Sequence, residues 1–185
     1  MSFDDLTKPV KNMMWAGYMF MNTTWIQNQM VYLIVLNKNK QMIDEFVKTP
    51  EKLPAEFSKI RNNYWKKMFA EIKSEFLHEF RDHLSDEDIN FIEKIHKLRN
   101  MLAHAQVSMG RDYMFYCPAD DKATDNFIQV MEIIPGEESV KPYMFIIDYS
   151  NEGVFKRTSY YIERVGVEIM GRLADLLNIP HYQIR

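Results

Sequence analysis

Between His96 and His104 the chain places two histidines, one arginine and one amide, with Glu93 one turn earlier and Lys97 beside His96. An imidazole changes its protonation near neutral pH, so it can accept or deliver a proton. A guanidinium offers a planar fork of donors that matches phosphate or carboxylate oxygens. A solvated helix surface ordinarily carries Lys, Glu and Ala, so this set is chemically richer than solubility requires. A bland arrangement also fits the same residues. Arg99 would pair with a carboxylate, and Asn100 and His104 would close a helix end, where an imidazolium suits the dipole.

These residues need a helix to hold them. Ser85 with Asp88 three positions on reads as a capping-box start. Phe91, Ile95, Leu98, Leu102 and Ala105 recur at helical spacing and predict a buried stripe on a helix from Asp86 to Ala105. At about 100° per residue, Arg99 falls on one shoulder of that stripe, while Asn100 and His104 stack on the far side. His96 and Ala103 point between them, and Glu93 lies beside Asn100 and His104. Arg99 and His104 are about 140° apart around the axis, so they do not meet as an adjacent pair. The long arginine can reach around, but a second copy of the helix solves the problem better. Ser108, Gly110 and Arg111-Asp112 then break the helix.

Arg99-Asn100-Met101-Leu102-Ala103-His104 has the form R-N-x-x-x-H. This resembles the signature of the HEPN superfamily of small helical-bundle proteins, and Leu98 and Leu102-Ala103 resemble its usual context. The likeness covers roughly residues 10–105 and 158–178. Many members are metal-independent RNases, often in toxin–antitoxin or antiviral defence systems. The resemblance implies a homodimer whose two motifs face each other across a cleft. It implies Arg99 stabilising the phosphate, His104 in proton transfer and Asn100 positioning them. It also implies RNA as substrate and an antitoxin protein as a possible restraint. The chemistry is consistent with those side chains, because RNA supplies its own 2′-OH nucleophile and no metal or cofactor is called for. His96 and Lys97 could add substrate contacts, and Glu93 is spaced to hydrogen-bond a histidine one turn on, although the family motif assigns them no role. Several HEPN-like bundles are inactive dimerisation or partner-binding units, and this is the alternative function. An enzyme leaves Arg99 and His104 open; a binding module buries or pairs them.

A metal reading rests on Glu75-x-x-His78 and Glu93-x-x-His96. Two such motifs plus a Glu on each of two further helices build di-metal carboxylate bundles. The stretch Met13 to Leu36 contains no Asp or Glu, so a ligand would have to come from Glu45 beyond it. Glu75 and His78 also fall away from the Ile72–Phe76–Phe80 face. The metal reading therefore ranks below the other two.

The chain has 185 residues, and a single domain over 1–185 is the default. With 46% hydrophobic and 14% aromatic residues it can build a core, and 14 Met suit adaptable packing or a soft interaction surface. A formal net charge of −3 gives no global field for nucleic acid. Positive charge for RNA must be local, for example at Arg61, Lys66 and Lys67. Cys117 is the only cysteine, which rules out an intrachain disulfide or a cysteine-based zinc site and suits a cytoplasmic protein. It is expected to be a small hydrophobe near a strand end.

Met1 to Thr7 lacks the basic start and apolar run of a signal peptide. Pro9 suits a helix start. Met13 to Leu36 carries no charge and is long enough for a bilayer. However, Asn22-Thr23-Thr24 and Gln27-Asn28-Gln29 sit in its middle, where a membrane is least tolerant. It is expected as a long bundle helix with its polar positions facing outward or toward a second subunit. Asn37 to Lys40 end or bend it before Gln41–Val47, and Thr49-Pro50 and Leu53-Pro54 punctuate the connection. A second long helix is expected over Ala55 to Leu84, with Trp65, Met68, Phe69, Ile72, Phe76 and Phe80 on its apolar face. Asp112–Cys117, Phe127–Ile134 and Tyr143–Tyr149 read as strands, separated by turns at Pro118–Asp121 and Pro135–Glu138. The last helix is expected over Thr158 to Leu177, capped by Thr158 or Ser159. Tyr161, Ile162, Val165, Ile169, Leu173 and Leu176 face its core, Gly166 and Gly171 allow close approach, and Asn178 and Pro180 end it. The expected fold is mostly α: an up-and-down, HEPN-like four-helix bundle, with a three-stranded antiparallel β insertion at 110–155 before the last helix.

Overall fold

The computed structural model describes residues 6–49, 52–107, 112–132 and 144–184. It is mostly helical, and it forms two compact units, Met1–Thr23 with Glu93–Tyr161 and Thr24–Ile92 with Ile162–Arg185. Among the described residues no helix is long and apolar enough to cross a membrane.

Helix α1 (Lys8–Lys38) begins one residue before Pro9 and contributes to both units. The lack of charge toward Leu36 is explained by burial: every residue from Val31 to Leu36 is buried in the second unit. The polar positions do not all face outward as expected. Thr24 and Asn28 are exposed, but Thr23 and Gln29 are fully buried. Thr23 satisfies its hydroxyl on the Phe20 carbonyl at 2.8 Å. Gln29 Nε2 donates to the Gly166 carbonyl at 3.1 Å and lies 2.9 Å from His181 Nε2.

After a 3₁₀ turn at Lys40–Met42 come α2 (Ile43–Lys48) and α3 (Ala55–Tyr64). The expected continuous helix from Ala55 to Leu84 is in fact two. The turn after Tyr64 leads into α4 (Phe69–Glu79) and a 3₁₀ turn at Arg81–His83. Two carboxylates stabilise this break. Glu71 caps the new helix by accepting from the Met68 amide at 2.7 Å. Glu75 accepts from Tyr64 Oη at 2.7 Å and from Lys67 Nζ at 2.6 Å, tying both ends of the turn to α4. Phe69, Ile72, Phe76 and Phe80 are buried as expected, whereas Trp65 and Met68 are each 70% exposed. Tyr32, Phe46 and Phe57 pack ring against ring, with centroids 5.0 to 5.9 Å apart.

The last helix starts earlier than expected. Helix α7 (Glu152–Glu163) is capped by Asn151, whose side chain accepts from the Gly153 amide at 2.9 Å. Thr158 instead bonds back to the carbonyls of Val154 and Phe155 inside the helix. The helix continues through a π segment, Arg164–Ile169, into α8 (Met170–Leu176). Gly166 in that segment allows the close approach expected of it: a Cβ there would lie 2.6 Å from Trp25 Cζ3. Leu177 is buried rather than Leu176, and Asn178, in the left-handed region at φ 57°, ends the run.

The first unit holds a small antiparallel sheet of very short strands, β1 (Gln106–Val107), β2 (Met114–Tyr116) and β3 (Phe145–Ile147), in that order. Met114 pairs with Ile147, and Tyr116 with Phe145. The expected meander is corrected in its middle member. Phe127–Met131 is helical, the C-terminal part of α6 (Asp121–Met131), and the remainder of the expected strand beyond Glu132 lies outside the described residues. Asp120 is the N-cap of this helix, accepting from the Ala123 amide at 2.7 Å, not part of a simple turn. Thr124, Phe127 and Met131 are buried at spacings of three and four, the period of a helix. Phe127 packs on Tyr116 and Phe145, so the helix covers one face of the sheet. The expected turn at Pro135–Glu138 lies outside the described residues. Cys117 is exposed, contrary to expectation.

Candidate functional site

Helix α5 (Asp86–His104) carries the motif and spans nearly the expected residues. Its start is the predicted capping box: the Ser85 amide donates to Asp88 Oδ2 at 3.0 Å, and the Asp88 amide donates to Ser85 Oγ at 3.1 Å. Asp88 is 4% exposed and also accepts from Arg172 Nη2 at 2.7 Å, so the N-terminus of α5 is fixed within the second unit. Ile92, Ile95 and Leu98 are fully buried and Met101 is nearly so, which sets the rotation of the helix. Leu102 and Ala105, expected on the stripe, are only half-buried.

That rotation decides where each candidate group goes. From Glu93 onward the motif belongs to the first unit. Arg99 is half-buried, and its Cζ lies 5.7 Å from the centroid of the Phe20 ring on α1. Among the described residues no carboxylate pairs with it, and its buried Nε has no hydrogen-bond partner. Asn100 and His96 form one pair, with Nδ2 and Nε2 3.1 Å apart. Glu93 Oε2 is 3.9 Å from His96 Nδ1, beyond hydrogen-bond reach. His104 is exposed at the last residue of α5. Lys97 is half-buried on the same helix.

No family model, curated protein or solved structure matches this chain.

What the arrangement can do therefore rests on its geometry. His96, Asn100 and His104 lie four residues apart in sequence, so they form one row along α5. The row presents a structured pair and then an open imidazole. Arg99 lies off the row, on the aromatic ring of Phe20, where its orientation is held without neutralising its charge. Among the described residues no hydrogen bond joins Arg99 to His104, which fits their separation of about 140° around the helix axis.

Three neighbouring features went unread in the sequence. Phe20, inside the uncharged stretch, gave no sign of meeting a cation. Lys94 is 4% exposed on the inward face of α5; its ammonium bonds Glu132 at 2.7 Å and lies 5.2 Å from the Tyr161 ring centroid. The third is an apolar seam on α1. Val10, Met13, Met14, Tyr18 and Met21 are 41 to 72% exposed. A signal for it was present: positions 10, 14, 17 and 21 follow the alternating four-three spacing of a helix-packing seam, with Gly17 open to close approach.

Glu75 serves the α3–α4 turn and also accepts from Lys38 Nζ at 2.7 Å. Among the described residues no group of three or more His, Cys, Asp or Glu is arranged to hold a metal ion.

Proposed function

We propose that this chain is a homodimeric, metal-independent endoribonuclease of HEPN type. In this reading Arg99 stabilises charge on the scissile phosphate, His104 transfers a proton and Asn100, with His96, orients the reacting groups. The observation that carries it is the state of the motif cation. Arg99 is steered by Phe20 and has no carboxylate partner among the described residues, while His104 stands exposed on the same helix. The bland alternative of an Arg99–carboxylate pair loses its main support there.

The α1 seam supports a second copy as the missing half of the cleft. It is uncharged between Met13 and Met21, so two identical copies meet without charge repulsion. Met and Tyr supply adaptable apolar area. Phe20 is on the same stretch of α1, so a twofold contact along the seam brings each Arg99 toward the partner's motif. The same seam fits a partner-binding module without catalysis, which is the second reading. Cleavage of RNA in excess EDTA decides between them. His104→Ala is expected to lower the rate by about 100-fold or more, the ordinary worth of a positioned acid or base. Equal cleavage by the variant and the native chain removes the catalytic reading.

A further inference from the structure

The turn after α3 exposes two large apolar side chains where the neighbouring helices hide theirs. Phe57, Tyr64, Phe69 and Phe76 are buried, yet Trp65 and Met68 are each 70% exposed. The Trp65 ring is held in place. Arg61 Cζ lies 5.2 Å from its centroid, and Arg61 Nη1 donates to Tyr32 Oη at 3.1 Å. Lys66, next to Trp65, is exposed, and so are Asn62 and Asn63. From Ala55 to Met68 the only acidic residue is Glu56, against Lys59, Arg61, Lys66 and Lys67. Glu71 is committed to the Met68 amide and Glu75 to Lys67, Lys38 and Tyr64, which leaves Arg61 and Lys66 as the cations beside the ring.

We infer that the Trp65 turn is a stacking site for single-stranded nucleic acid. An open aromatic face accepts any base, and adjacent cations hold the phosphates on either side. Arg61 positions the ring, which stays 70% exposed; Lys66 supplies the phosphate contact. A membrane surface is the poorer fit. Interfacial helices present a continuous apolar face, whereas Phe57 and Tyr64 turn inward and the groups around Trp65 are amides and cations. The site extends the ribonuclease reading by naming an unpaired strand as the substrate class, but binding here does not require cleavage.

The test uses the full chain and a fluorescein-labelled deoxythymidine oligomer, which lacks the 2′-OH and cannot be cut by the proposed chemistry. Binding read by anisotropy should weaken about 10-fold or more in Trp65→Ala and far less in Trp65→Phe. Lys66→Glu should weaken binding and flatten its salt dependence. Because Trp65 is exposed, the variants should keep the native melting temperature. Unchanged affinity in Trp65→Ala overturns the inference. So does tryptophan quenching by phosphatidylserine vesicles with none by the oligomer, which would make the turn a membrane contact. A native chain that binds the oligomer through Trp65 but cuts no RNA refutes the ribonuclease reading alone, and one whose cleavage depends on His104 but whose oligomer binding ignores Trp65 refutes the stacking site alone.

Discussion

Replacing Glu75 by glutamine should make the fold weaker at neutral pH and less sensitive to acid. Glu75 Oε1 accepts from Lys38 and Tyr64, both at 2.7 Å, and Oε2 accepts from Lys67 at 2.6 Å. Burial pushes the carboxyl up, but the bonds from Lys38, Lys67 and Tyr64 outweigh it and hold the group at about 2 rather than 4.5. That difference corresponds to about 3 kcal/mol of preference for the charged form in the folded chain. Because the folded value lies below the unfolded one, the contribution is present in full above pH 4.5 and is lost as the pH falls toward 2. Glu75→Gln keeps an acceptor but no charge, so it should cost about 2 to 3 kcal/mol at neutral pH. Urea denaturation followed by circular dichroism across this pH range measures the effect. The gap between native chain and variant should be widest near neutrality and close as Glu75 is protonated in the native chain. Asp148, also held near 2, titrates in both proteins and cancels in the difference. A gap that stays constant down to acid pH, or no gap at neutrality, refutes the reasoning.

Gly166→Ala places a Cβ 2.6 Å from Trp25 Cζ3 and 3.1 Å from Ile26 Cγ1. It should destabilise by about 1 to 3 kcal/mol, seen as a lower melting temperature with an altered tryptophan spectrum. A native melting temperature would mean that the π segment tolerates the extra carbon. Met21→Lys puts a charge on the most exposed residue of the α1 seam, which is 72% exposed. If the proposed dimer forms along this seam, the variant should be monomeric by light scattering where the native chain is dimeric and should cut RNA more slowly, while the melting temperature of dilute protein changes little. A variant that remains dimeric moves the subunit contact elsewhere.

Signals confined to one helix were legible in the sequence. The Ser85–Asp88 box, the Phe91–Ile95–Leu98 stripe and the Asn178 stop are local, and each sits where the residues placed it. The structure departs from the expected elements where a cap or turn interrupts a stretch whose composition suits one continuous element. Ala55 to Leu84 has a continuous apolar period, and nothing near the break marks it; the carboxylates that stabilise it come from the far side of the turn, at Glu71 and Glu75. Phe127–Ile134 has the aromatic and β-branched composition of a strand. Yet Asp120 caps a helix, and the burial of Thr124, Phe127 and Met131 follows helical period. A cap is more specific than composition, because it fixes a position and not merely a tendency.

The candidate site shows the same division between local and distant information. The spacing of Arg99, Asn100 and His104 fixes their angles around α5, and it sets the cation and the imidazole apart rather than as an adjacent pair. What the spacing cannot contain is the identity of the surface that receives Arg99. That surface is Phe20, 79 positions earlier by subtraction of the residue numbers, a ring that orients the guanidinium without quenching it. A carboxylate at that place would have turned the same six-residue motif into a structural ion pair. The functional reading thus depends less on the motif than on the neutral side chain opposite it. An aspartate introduced by Phe20→Asp should remove RNA cleavage as fully as loss of Arg99 itself.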